Sequence, residues 1–219
     1  MPKEVEQDWE SHYVGMKGTF YESAVQYYRK HVIAPTHRRV FEKAFPKPDG
    51  IYCEVGCGTA QASTLIRKKN RTLIALDISF DALKQSHAIK QFDVRVKGDA
   101  FRLPFKDESL DGIWNHGLYE HFTEEEIHQL MSECARVLKK GGGFYTFWPP
   151  MFSLNGTILR GFGLLVRIIG KKFDAYPGEI TRPWTKGKLR SIVGEHFHSV
   201  KVSFPARNLW GDFVVVAKK

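Results

Sequence analysis

At 219 residues, 42% of them hydrophobic and 26% charged, the chain has the make-up of one ordinary globular domain, which excludes disordered and fibrous classes. Three cysteines (Cys53, Cys57, Cys134) are too few for a disulfide scaffold and lead us to expect a reduced, cytoplasmic protein; the polar opening MPKEVEQDWE shows no signal peptide. The formal net charge of +9 permits a nucleic-acid, anionic-lipid or acidic-substrate partner without choosing among them.

Taken in chain order, Tyr21 to Phe45 has helical spacing (Val25, Tyr28, Val32, then Val40, Phe41, Ala44), with a break expected at Pro35. Ile51 to Val55 reads as a short strand running into a glycine turn. Gln61 to Lys69 is expected to be helical, and Thr72 to Leu76 a second strand. Ser79 is placed to cap a helix reaching Gln91. Val94 to Lys97 and Leu110 to Asn115 supply the third and fourth strands. Thr123 and Glu126 have capping-box spacing, and Ile127, Leu130, Met131, Cys134 and Leu138 form one apolar stripe. Gly141 is the expected helix stop, followed by a fifth strand from Gly143 to Trp148. A basic, apolar insertion comes next. Thr185 to Phe197 is expected to be helical, and Val200 to Phe204 and Phe213 to Ala217 are the last strands. Pro205 to Asp212 is too short for a crossover helix, so these two strands should pair as a hairpin.

Strands alternating with helices imply an α/β fold: a doubly wound, seven-stranded, mostly parallel sheet with an antiparallel last strand. To it are added N-terminal helices and a helical insertion after strand five. The chain divides as a helical cover (1–45), a core (46–148), the insertion (149–184) and a last helix with its hairpin (185–219). Such a sheet takes its ligand outside the carboxyl ends of its strands, where the strand order reverses. Three segments converge there. Glu54-Val55-Gly56-Cys57-Gly58-Thr59-Ala60 lets the backbone turn sharply and approach a ligand closely. Asp77 follows strand two, where a carboxylate can take both hydroxyls of a ribose. Gly98-Asp99-Ala100, with Leu103-Pro104-Phe105 beyond it, follows strand three. The glycine pair alone would also suit a plain tight turn. A nicotinamide dinucleotide fits poorly, because Gln61 stands where its fingerprint needs a third glycine. Cys53 and Cys57 have no partner pair, so no zinc site is expected of them.

In the order and spacing of these motifs, residues 50–148 resemble the class I S-adenosylmethionine-dependent methyltransferases, with their Rossmann-like sheet. The glycine segment is similar to that family's E-x-G-x-G-x-G/A motif, with Ala60 at the third glycine. Asn115-His116-Gly117-Leu118-Tyr119-Glu120-His121-Phe122 and Ala135-Arg136-Val137-Leu138-Lys139-Lys140-Gly141-Gly142 resemble segments of the small-molecule branch called type 11. The resemblance implies S-adenosylmethionine as cofactor. Gly56, Cys57 and Gly58 would hold its methionine end, with Glu54 orienting the loop. Asp77 would bind the ribose and Ile78 would pack on the adenine. Asp99, Ala100 and Phe101 would meet the adenine edge, and the Asn115 carbonyl would meet the ligand's ammonium.

The acceptor side is less legible. A base is needed for an oxygen or protonated nitrogen acceptor, and His116, Tyr119 and His121 are the candidates in range; packing or capping roles are open to each. Residues 151–190 hold eight Lys/Arg against Asp174 and Glu179, whereas the first fifty hold eight against seven. Leu159, Phe162, Val166 and Ile169 give the insertion an apolar stripe. We expect 152–172 to be a mobile cover over a small-molecule or lipid-like acceptor, with peripheral contact to an anionic membrane or acidic ligand as its second use. The competing reading is a fixed helix closing an apolar gap. An RNA methyltransferase is the first rival; the N/D-P-P-Y/F/W signature of nucleic-acid amine methylation is missing after strand four, where Asn115-His116-Gly117-Leu118 stands. No nucleic-acid-binding motif is added, and the bases are interleaved with aliphatic rather than stacking residues. The other rival is a non-catalytic protein of the same fold bound to anionic membrane, which liposome flotation would separate from an enzyme.

Overall fold

The computed structural model describes residues 9–11, 23, 26–152, 179–208 and 211–219. The expected cover at 152–172 thus lies outside the described residues, apart from Phe152, as does most of 1–25.

Alternation along the strands decides the layers, because consecutive side chains serve opposite faces. Cys53 of β1 (Asp49–Val55), Ile113 of β4 (Leu110–His116) and Phe144 of β5 (Leu138–Trp148) point to one face. There they meet Ile127, Leu130 and Met131 of α3 (Glu124–Val137) and Leu189 and Val193 of α4 (Lys186–Gly194). Their neighbours Tyr52, Trp114 and Tyr145 point the other way, onto Phe41 and Phe45 at the end of α1 (Ala34–Ala44) and Leu83 of α2 (Phe80–Ser86). Both faces are therefore buried, as a doubly wound sheet requires. Gly112 and Gly143 are register partners in β4 and β5. A Cβ on either would stand 2.5 or 2.6 Å from the Phe45 ring, so this glycine pair is what lets Phe45 lie flat on the sheet.

The sheet order is β3-β2-β1-β4-β5-β7-β6, where β2 is Asn70–Asp77, β3 Val94–Lys97, β6 His198–Ser203 and β7 Phe213–Lys218. β1 pairs in parallel with both β2 and β4, so the order reverses between β1 and β4. β7 is antiparallel to both β5 and β6. Its first residues consequently lie at the same edge as the carboxyl ends of β1, β2 and β4.

Four local expectations change. Pro35 does not interrupt the helix: the backbone stays helical from 26 to 44, and Arg29–Ile33 widen into one π-helical turn just before the proline, with the Ala34 N–H donating to the Arg29 carbonyl. Gln61 to Lys69 is not a helix; only Gln61–Ser63 make a 3₁₀ turn. Beyond Ile66 the run Arg67 to Arg71 has no apolar stripe to bury, and Arg71 instead turns inward to donate to the carbonyls of Phe45 (2.6 Å) and Lys47 (2.9 Å). α2 stops at Ser86 rather than Gln91. α3 ends at Val137 without help from Gly141, because Leu138 already has extended backbone and opens β5. The two caps expected from sequence are present. Thr123 and Glu126 form the reciprocal capping box, and Ser79 Oγ accepts from the Ala82 N–H.

Candidate functional site

The loop leaving β1 is built on left-handed backbone at Gly56 (φ +67°), Gly58 (+51°) and Ala60 (+57°). At Gly56 the left-handed φ favours glycine, and a Cβ there would also press on the Leu118 side chain, 2.8 Å from its Cδ1. The loop is pinned to the end of β2. The Cys57 N–H donates to the Leu76 carbonyl at 3.0 Å, and the Gly58 N–H donates to Asp77 Oδ2 at 2.7 Å. Asp77 Oδ1 accepts from the Ser79 N–H at 2.9 Å, which fixes the carboxylate between the glycine loop and the start of α2. Burial holds its pKa up at about 6 although these amides favour the anion. Glu54, at the end of β1, is also buried, and its Oε2 has no hydrogen-bond partner. Burial pushes its carboxyl up to about 8, and the charge of Asp77 adds to the rise.

On the β3 side, Asp99 Oδ1 accepts from the Phe101 N–H at 2.9 Å, which shapes the turn Gly98-Asp99-Ala100. Ala100 is buried, Phe101 stands edge-on to Phe122 at 5.2 Å, and Ile78 is half-buried just past Asp77. Asn115, near the end of β4, is buried and accepts from Thr146 Oγ1 at 2.6 Å. All ten sequence-derived cofactor candidates thus stand on or just beyond the ends of β1 to β4.

The donor set fits the ligand that the resemblance implies. The left-handed turn exposes backbone at close range, Asp77 keeps lone pairs beyond its two amide partners, and the orphaned Glu54 oxygen leaves one more acceptor unused beside them.

Of the three acceptor-side candidates, the structure holds two largely buried at this edge and turns one into the core. Tyr119 points into the core, with its hydroxyl 3.8 Å from Cys134 Sγ and its ring against Trp148. His121 lies 4.0 Å from Glu120 Oε1 and edge-on to Trp9 at 4.8 Å. His116 ends β4 and faces Asp212, Nε2 to Oδ2 3.7 Å. Burial, with Arg29 adding, presses His116 down to about 3, and burial lifts Asp212 to about 7. His37 of α1 is 5.3 Å from the His116 ring, stacks on Phe147 at 4.0 Å, and leaves its buried Nε2 without a partner. Glu120 is buried, with its carboxyl lifted to about 8, and its backbone carbonyl accepts from the N–H groups of Ile180 (2.6 Å) and Thr181 (3.0 Å).

Asp212, His37 and Glu120 were not singled out from the sequence. Asp212 was within reach: the hairpin already implied that the start of the last strand returns to the ligand edge. His37 had no signal, because it is one polar residue within a helical pattern. The N-terminal segment also arrives here. Glu10 bonds to Ser79 Oγ and accepts from the Asp81 N–H at 3.3 Å, so residues 9–11 reach both the α2 cap and His121.

Residues 53–146 match the family described as "Methyltransferase domain". A probable S-adenosylmethionine-dependent methyltransferase of Mycolicibacterium smegmatis is 34% identical over 105 residues, 47% of this chain and 39% of that protein. A ubiquinone biosynthesis O-methyltransferase of Coxiella burnetii is 25% identical over 195 residues, 80% of this chain and 79% of the other. Among solved structures, magnesium protoporphyrin IX methyltransferase of Synechocystis superposes with a TM-score of 0.70 at 15% identity over 99% of both chains. The chain spans 39% and 61% of the length of the first two curated relatives it matches. Fold, motif order and these matches together place residues 53–146 in the class I S-adenosylmethionine-dependent methyltransferases, in the type 11 branch.

Proposed function

We propose that this chain transfers a methyl group from S-adenosylmethionine to a small-molecule or lipid-like acceptor that loses a proton at the His116–Asp212 pair. The observation that carries the proposal is the shared edge: the Gly56–Gly58 turn and Asp77 lie on one side of the strand-order reversal, and the buried imidazole–carboxylate pair lies on the other. S-adenosylmethionine, when bound, supplies an activated methyl group on a sulfonium. The Gly56–Gly58 backbone and Glu54 would hold its methionine end, Asp77 the ribose, and Asp99 with Ala100 and Phe101 the adenine. Asp77 is already fixed by two amides, so it binds without reorganising.

The remaining chemistry belongs to His116 and Asp212. His116 is neutral at pH 7 and can take a proton from an acceptor hydroxyl. The resulting imidazolium would be costly in this buried setting unless Asp212 is ionised beside it, so the pair gains basicity as Asp212 loses its proton near pH 7. The Phe147 ring backs this pair, 5.5 Å from the His116 ring and stacked on His37 at 4.0 Å, and gives the imidazole an apolar setting. A ring-bearing oxygen acceptor agrees with this aromatic setting and with the names of the ubiquinone-biosynthesis relative and the protoporphyrin neighbour. The aliphatic and basic composition of 153–178 supports meeting such an acceptor at an anionic lipid surface. Among the described residues no helix is long and apolar enough to cross a membrane. The test is transfer of labelled methyl from S-adenosylmethionine to a panel of phenols and quinols, with carboxylic acids, which reach neutral pH already ionised, and short RNA as contrasting arms. Label in a ring hydroxyl supports the proposal, and label only in carboxylates or RNA would replace it.

A further inference from the structure

Far from the cofactor loop, His128 of α3 faces the corner where α4 hands over to β6. Its Nδ1 is 3.0 Å from His196 Nε2 and 3.5 Å from Glu195 Oε2, and one ligand atom from each residue falls within 4.8 Å of the others. In tetrahedral zinc sites with bonds near 2.0–2.1 Å, neighbouring ligand atoms are separated by roughly 3.3 Å. The two edges that meet at His128 bracket that spacing.

The corner is rigid on both sides. Glu195 caps α4 through its N–H to the Val193 carbonyl, and the His196 and Phe197 N–H groups bond to that same carbonyl at 3.1 and 3.0 Å. Phe197 is buried and stacks on Phe144 at 4.6 Å. His128 lies one turn after Glu124, which already pairs with Lys188 of α4 at 2.6 Å. The two imidazoles are partly buried, whereas Glu195 is largely exposed and leaves the cluster open to solvent.

We propose that His128, Glu195 and His196 form a zinc-binding site, with water as the fourth ligand. Two imidazoles and one carboxylate on elements distant in sequence suit zinc better than calcium or magnesium, which prefer all-oxygen shells. A bound ion would join α3 to the α4–β6 corner. These elements flank the segments 119–123 and 180–185, which meet at the Glu120 carbonyl, so the ion would brace the acceptor-side wall. Its role is structural, and the inference stands whether or not the proposed activity does.

A tag-free chain, stripped with chelator and titrated with zinc chloride in a non-coordinating buffer, tests this by calorimetry and thermal melting. The expected result is one zinc per chain at micromolar or tighter affinity, with a rise in Tm. His128→Ala and His196→Ala should each weaken binding at least about 30-fold and abolish the Tm rise, Glu195→Gln should weaken it about 10-fold, and the exposed His87→Ala should bind as wild type. Circular dichroism and the metal-free Tm confirm that each variant is folded. Cobalt substitution gives a second readout, an intense visible band from a four-coordinate ion. Absence of stoichiometric binding, or wild-type affinity in His128→Ala or His196→Ala, would overturn the site and leave only the hydrogen bond between the two rings.

Discussion

Replacing Glu54 by glutamine tests how the buried cofactor edge is charged. The glutamine keeps shape and polarity and removes only the ionisation. In the folded chain Glu54 holds its proton up to about pH 8, against an ordinary value of 4.5, chiefly because burial penalises the anion. A raised folded-state value means that the stabilisation is full below pH 4.5 and is lost as the pH rises through 8. Between pH 7 and pH 9 the unfolded chain stays ionised at this position while the folded chain gives up close to one proton, a loss of about 1.4 kcal/mol. Glu120, also lifted to about 8, contributes a similar loss, but it is present in both proteins and cancels in the difference. Urea unfolding of wild type and Glu54→Gln at the two pH values should therefore show the variant gaining about 1.4 kcal/mol on the wild type by pH 9. Curves that fall in parallel would show that Glu54 is already ionised at pH 7, and the account of a desolvated, proton-holding edge would fail.

Asp212→Asn should lower kcat by roughly 100-fold while leaving cofactor affinity unchanged, and the rise in rate that wild type shows through about pH 7 should disappear; an unaltered pH profile would remove Asp212 from proton transfer. Asp99→Asn should weaken cofactor binding less than Asp77→Ala, because the amide oxygen can still accept, both from the Phe101 N–H and from an exocyclic amine; titration of both variants gives the ranking, and the reverse order would refute it. Gly112→Ala should destabilise the fold by about 1–3 kcal/mol in denaturant, since the new methyl meets the Phe45 and Tyr52 rings at 2.5 and 2.7 Å, and an unchanged midpoint would show that the rings yield freely.

The cofactor half of the site was legible because its chemistry is local. Gly56, Gly58, Asp77 and Asp99 each lie within a few residues of a strand end, so finding the strands finds the residues. The alternation of periods that revealed the strands also revealed the doubly wound order and the closing hairpin. Where a segment's structure depends on distant partners, sequence pattern failed. Gln61 to Lys69 has helix formers but forms only the 3₁₀ turn Gln61–Ser63, and the chain then enters β2, where Arg71 is held by the carbonyls of the α1–β1 connection. Tyr119 sits in a motif full of polar side chains, yet the 3₁₀ turn Tyr119–His121 rotates it into the core beside Cys134. The acceptor side draws on α1, the end of β4 and the start of β7, and no short motif spans those three places.

Calorimetry with S-adenosylhomocysteine tests the central claim most directly, since it asks for the cofactor site without needing the acceptor. The account predicts one site per chain with micromolar affinity, and a loss of about 2–4 kcal/mol in Asp77→Ala, whose fold is checked by circular dichroism because the Gly58 and Ser79 N–H groups lose their acceptor. Absence of heat at millimolar ligand, or equal affinity in a folded Asp77→Ala variant, would contradict it.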